Sequence, residues 1–71
     1  MAAKDFYLSS SNLAGGSYDE ATLDLTINFQ NGTAYVYRGV QPETVQGLIR
    51  APSAGEFFHR QIKGRYGYEP L

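Results

Sequence analysis

Leu23, Leu25, Ile27 and Phe29 alternate with Asp24, Thr26, Asn28 and Gln30. A period of two places the apolar set on one face of a strand and the polar set on the other. Asn31-Gly32 follows at once. This dipeptide is a strong hairpin signal, because both residues tolerate positive φ. A second β-rich run, Ala34 to Val40, then returns beside the first. Two registers are open. A two-residue turn pairs Ile27 with Val36 and Leu25 with Arg38, which leaves Tyr35 and Tyr37 on the polar face. A three-residue turn with a bulge at Gly32 pairs Phe29 with Thr33, Ile27 with Tyr35 and Leu25 with Tyr37. The second is preferred, since the first drives the Arg38 guanidinium onto the core face. It turns Ala34, Val36 and Arg38 outward.

Upstream, Met1 to Asp5 is a polar lead-in, and Phe6-Tyr7-Leu8 reads as a strand end or a docking arm. Ser9 to Asn12 is rich in side chains that bond nearby backbone, hence a loop. Leu13 to Tyr18 reads as a strand, with Gly15-Gly16 marking a bulge or a close backbone approach. Asp19 to Thr22 is a turn. After Val40 the apolar period becomes helical. Pro42 suits a first helical turn, Glu43 complements the dipole, and Val45, Leu48 and Ile49 fall on one face. Gly47 weakens this helix by roughly 1 kcal/mol relative to alanine, and Ala51-Pro52 ends it. Ser53-Ala54-Gly55-Glu56 matches a capping box for a second helix carrying Phe57, Phe58 and Ile62. Gly64 suits its C-terminal cap, and Glu56 stands four residues before Arg60, a favourable pairing distance. Tyr66 to Tyr68 reads as an irregular tail that packs a ring on the core. The resulting expectation is an α+β fold. It comprises a three-stranded antiparallel meander followed by two short helices on one face (β-β-β-α-α).

Seventy-one residues make a single domain, with its core over about residues 9–66. A chain of this size buries only roughly 60 % of its extended surface. Without cysteine, and with His59 as the lone histidine, disulfide and transition-metal staples are ruled out. Self-association is the remedy left, so a homo-oligomer is expected, joined through an edge at the first or third strand of the meander. Nothing resembles a bilayer span or a leader peptide, so a cytoplasmic chain with no membrane partner is expected.

Net charge is −1, against strong non-specific nucleic-acid binding. The charge is nevertheless segregated. Residues 1–49 carry Lys4 and Arg38 against Asp5, Asp19, Glu20, Asp24 and Glu43, a balance of −3. Residues 50–66 carry Arg50, Arg60, Lys63 and Arg65 against Glu56, a balance of +3.

That basic segment holds the candidate chemistry. Ser53 and Gly55 stand at a helix start, where free N–H groups favour phosphate and glycine leaves room for it. The bland alternative is a plain capping box. His59, Arg60 and Lys63 can share one helix edge, as a phosphate-binding face or as solvated surface. Tyr35 and Tyr37, with Arg38 beside them, are either core aromatics or a stacking platform for a base. Ser9 and Ser10 either bond backbone or offer hydroxyls to an anion. Catalysis is set aside, because one histidine has no second histidine or cysteine to work with. No cofactor is implied.

Taken in order, Ser9-Ser10, Tyr18-Asp19, Leu23-x-Leu25-x-Ile27-x-Phe29-x-x-Gly32 and Tyr35-Val36-Tyr37 form one pattern. Val40, Pro42, Ala51-Pro52-Ser53-Ala54-Gly55, Phe57-Phe58, Ile62 and Tyr66 continue it. The pattern resembles the KTSC domain, found at the C-terminus of some lysyl-tRNA synthetases and as free-standing bacterial and phage proteins. Gln41 intrudes where the family usually has valine and proline adjacent, and His59 replaces the commoner asparagine. The resemblance implies a suggested role in RNA binding. By analogy with other very small phage proteins, it also implies sequestration of a host molecule such as a signalling nucleotide. The leading expectation is a non-enzymatic module for a nucleotide or RNA through Ser9, Ser10, Tyr35, Tyr37, Arg38, Ser53, Gly55, His59, Arg60, Lys63 and Tyr66. The alternative is a protein-interaction module docking on host transcription or translation machinery.

Overall fold

The computed structural model describes residues 4–71. Its elements are β1 (Lys4–Tyr7), β2 (Leu13–Asp19), β3 (Asp24–Phe29), β4 (Ala34–Tyr37), α1 (Pro42–Arg50), α2 (Ala54–Gln61) and β5 (Tyr68–Pro70). The strands form one antiparallel sheet in the order β1-β2-β3-β4-β5. The meander expected from the sequence is its centre, β2 to β4. Two further strands correct that expectation. Lys4 and Asp5, read as lead-in, pair with Tyr18 and Ser17, whereas Met1 to Ala3 lie outside the described residues. The supposed irregular tail pairs Tyr68 with Tyr37 and Pro70 with Tyr35. Both strands are too short to show a period, and each is fixed by the edge waiting for it rather than by its own pattern.

At the hairpin the bulged register holds. Leu25 faces Tyr37 and Ile27 faces Tyr35, and the Phe29 N–H donates to the Thr33 carbonyl at 2.8 Å. Gly32 takes φ +92°, the left-handed conformation this turn demands. Tyr37 is accordingly buried among Leu25, Ile27, Val45, Leu48, Phe58 and Ile62, with Tyr35 half-buried at the rim. Val36 does lie on the outer face, as expected, but it is buried rather than exposed. It stands in the ladder between Thr26 and Glu69, beside Arg38, whose guanidinium reaches Asp24 at 3.0 Å and Glu69 at 3.1 Å. Leu23 belongs to the turn before β3, at φ +63°.

Glycine sets two close approaches. At Gly16 a β-carbon would collide with the Thr26 carbonyl oxygen, so the bare backbone lets β2 and β3 meet. The ladder shifts between Leu13 and Gly15, where the sequence marks a bulge. At Gly47 a β-carbon would stand 2.7 Å from Cζ of Phe57. The residue that weakens α1 thus seats the ring that joins α1 to the α2 side. The Tyr18 hydroxyl donates to the Val40 carbonyl at 2.5 Å, tying β2 to the chain entering α1. Burial foremost, with Glu20 and Glu43 adding, raises the pKa of that phenol. Among the described residues, no helix is long and apolar enough to cross a membrane.

Candidate functional site

A groove of about 910 Å³ opens between the Ser9–Asn12 loop, the hairpin tip at Gln30 and Asn31, and the first two turns of α2. Its floor is apolar, from Leu13, Phe29 and Phe58, with the two phenylalanine rings edge to face at 5.7 Å.

One wall is a loop whose backbone is held by side chains. The Ser10 hydroxyl oxygen accepts the N–H groups of Asn12 and Leu13 at 3.2 and 3.3 Å. Gln30 clasps the same loop. Its backbone N–H donates to the Asn12 carbonyl at 2.8 Å, and its amide nitrogen donates to the carbonyls of Ser10 and Leu13 at 3.1 and 3.4 Å. Of the two readings of Ser10, backbone bonding is therefore realised. A hydroxyl that accepts two bonds keeps its own proton to donate. Ser9, on the same loop, is exposed and lines the groove.

The opposite wall is the start of α2. Ser53, in extended conformation, accepts the Glu56 N–H at 3.3 Å, which is the cap expected from the sequence. The expected i,i+4 partnership of Glu56 with Arg60 does not form an ion pair; among the described residues both ion pairs belong to Arg38. Arg65 turns back to donate from Nε to the Arg60 carbonyl at 2.9 Å, past the Gly64 turn at φ +81°. His59, Arg60 and Lys63 are exposed along the groove, together with the Glu56 carboxylate. A β-carbon at Gly55 would lie 3.4 Å from the Ser10 hydroxyl oxygen, so glycine keeps the two walls from touching.

The groove thus brings together Ser9, Ser10, Ser53, Gly55, His59, Arg60 and Lys63. Tyr35, Tyr37, Arg38 and Tyr66 stand apart from it. Tyr37 packs edge to face on Phe58 at 5.5 Å and beside Tyr68; burial first, then Tyr68 and Tyr35, raises its pKa. Tyr35 packs on Phe29 and Tyr68. Arg38 is on the opposite face of the sheet, held protonated by its hydrogen bonds to Glu69 and Asp24. Tyr66 places its hydroxyl 3.5 Å from that of Thr44. Sequence reading missed Asn12, Gln30, Asn31 and Phe29 as groove residues. Gln30 and Asn31 carried only strand and turn signals; nothing local shows that the Gln30 side chain reaches back to the Ser9–Asn12 loop, while Asn31 bonds Thr33 within its own turn. Among the described residues, no three acidic or imidazole side chains converge as a metal site requires.

A single antiparallel sheet, two helices on one face and a groove running from the start of α2 to the cations at its end define a small α+β domain. Its sequence matches the KTSC domain model over residues 9–66, and the chain belongs to that family. It is 42% identical over 55 residues to a lysine–tRNA ligase of Nostoc punctiforme, a match covering 78% of this chain and 10% of the ligase. A lysine–tRNA ligase of Trichormus variabilis is 41% identical over 54 residues, with the same 10% coverage. The chain therefore spans about a tenth of the length of these relatives. An uncharacterised protein of Stutzerimonas stutzeri is 37% identical over 59 residues, covering 83% of each chain. The crystal structure of a KTSC domain protein from Yersinia pestis superposes with a TM-score of 0.91 at 32% identity, over 99% of both chains.

Proposed function

We propose that the groove binds a phosphate-bearing ligand, a small nucleotide or the phosphates of an RNA strand, without transforming it. The observation that carries this reading is the convergence of Arg60, Lys63 and His59 with the serine hydroxyls of a separate loop around one concavity. Neither Arg60 nor Lys63 is taken up by an ion pair among the described residues. Guanidinium and ammonium groups of this kind suit phosphate oxygens, and the half-buried Phe29 with the exposed His59 imidazole offers aromatic surface to an adjoining base. The kinship with a segment of lysine–tRNA ligases makes RNA a natural member of the panel. A non-enzymatic role fits the hydrogen bonding: Ser53 and Ser10 accept backbone N–H groups, and among the described residues neither is bonded to His59. In a free-standing copy such a module sequesters its ligand.

Isothermal titration against a nucleotide panel and a short single-stranded RNA, at low salt, tests the proposal. A saturable heat with any of them supports it; flat traces for all overturn it. A second reading, docking on another protein, draws on the exposed Tyr68 and Leu71 beside β4. It is favoured if a nuclease-treated lysate yields a partner while titration stays flat.

A further inference from the structure

The sequence placed the open edge of the sheet at β2 or β4. In the structure those strands are paired on both sides, and among the described residues β1 and β5 are the outer strands. Their backbones are not equivalent. Leu8 N–H donates to Ala14 O in the β1–β2 ladder. Alternation in an antiparallel ladder then makes Phe6–Gly16 and Lys4–Tyr18 the bonded pairs. Asp5 and Tyr7 consequently aim both N–H and C=O away from the sheet. At β5, Arg38 N–H donates to Gly67 O and Leu71 N–H to Ala34 O, so Glu69 bonds inward while Tyr68 and Pro70 face outward. Proline has no N–H to give. The β5 edge is blocked at one of its two outward positions, whereas the β1 edge offers a complete set of donors and acceptors.

We propose that β1 is a pairing edge through which two copies of this chain join antiparallel about a two-fold axis at Phe6, making one continuous ten-stranded sheet. The register follows from which groups face out. Asp5 must oppose an outward residue of the partner, and two choices are available. Opposing the partner's Asp5 sets like charges side by side, which is unfavourable. Opposing the partner's Tyr7 gives four backbone hydrogen bonds, two from each Asp5–Tyr7 pair. It also puts a phenol next to each carboxylate and sets the two Phe6 rings opposite one another on the helix-bearing face. Tyr7, 87% exposed in the single chain, acquires a neighbour. Asp5, Phe6 and Tyr7 are not among the residues lining the groove, so the pairing stands or falls independently of the ligand proposal.

Light scattering on the full chain is expected to give twice the chain mass at high concentration and the single mass on dilution. Hydrogen exchange at the two concentrations is expected to show the Asp5 and Tyr7 amides protected only in the concentrated sample, with Tyr68 open in both. Asp5→Pro removes an outward N–H while sparing every bond of the β1–β2 ladder. This variant is expected to keep the far-ultraviolet spectrum and to scatter as a monomer throughout. A monomer mass for the wild type up to its solubility limit overturns the proposal. So does concentration-dependent protection at Tyr68 in place of Asp5 and Tyr7, or a folded Asp5→Pro variant that still dimerises.

Discussion

Two cationic regions lie on opposite faces of this sheet and differ in what surrounds them. On the outer face Arg38, just past the end of β4, has Asp24 and Glu69 at hydrogen-bond distance. On the helix side, Arg60, Lys63 and His59 rim a concavity and contribute to no ion pair among the described residues. Positive charge alone thus does not distinguish the two surfaces. Arg38 is neutralised locally by two carboxylates. The cations at the end of α2 instead rim an open groove whose other wall carries serine hydroxyls.

The sharpest way to break that contrast is to fill the groove. Gly55→Glu puts a carboxylate between its walls, and like-charge juxtaposition costs several kcal/mol; titration should show at least about a hundredfold loss of phosphate-ligand affinity with the melting temperature nearly unchanged. Next come the cations. Arg60→Ala and Lys63→Ala should each weaken binding about tenfold and lower the salt-dependence slope by about one. A loss of affinity with no change in slope would mean these side chains act through packing instead. Ser53 separates fold from ligand. Ser53→Ala should cost about 1 kcal/mol in denaturant unfolding, while Ser53→Asp keeps the cap. If a phosphate lies near this end of the groove, Ser53→Asp should bind several-fold more weakly at the wild-type melting temperature; full affinity would put the phosphate nearer Lys63. The smallest effect belongs to the outer face. Arg38→Ala should leave the titration curve unchanged, and freeing Arg38 by Asp24→Asn with Glu69→Gln should create no new binding. A new anion site there would show that an unpaired charge suffices without a concavity.

The parts of this arrangement that sequence made legible are those governed by local rules. The hairpin register followed from keeping Arg38 off the core, and the Ser53 cap from spacing alone. Tertiary decisions stayed hidden. Gly47 reads as a cost to α1 until Phe57 is seen against it, and Val36 reads as exposed until Thr26 and Glu69 flank it. The groove was half visible. His59, Arg60 and Lys63 announce a shared helix edge, yet their meeting with Ser9 and Ser10 depends on Gln30 pinning a distant loop. Tyr35, Tyr37 and Arg38 were nominated by residue type, and the register argument that sent the tyrosines inward already pointed away from a stacking platform.

The place of β5 sets the order in which the domain can be assembled. Strands β1 to β4 are joined by short turns, so each pairing closes a small loop. Tyr68 meets Tyr37 only across thirty-one positions that include both helices. Closing that loop costs entropy before any contact rewards it. The last strand is therefore expected to join a sheet and helix layer already in place, and to be the first to leave. In a native-state exchange experiment the inward Glu69 and Leu71 amides should open at far lower free energy than those of Ile27 and Leu25. Opening at β5 exposes Tyr37 and the outward edge of β4 while the groove, built on α2 and the Ser9–Asn12 loop, stays assembled.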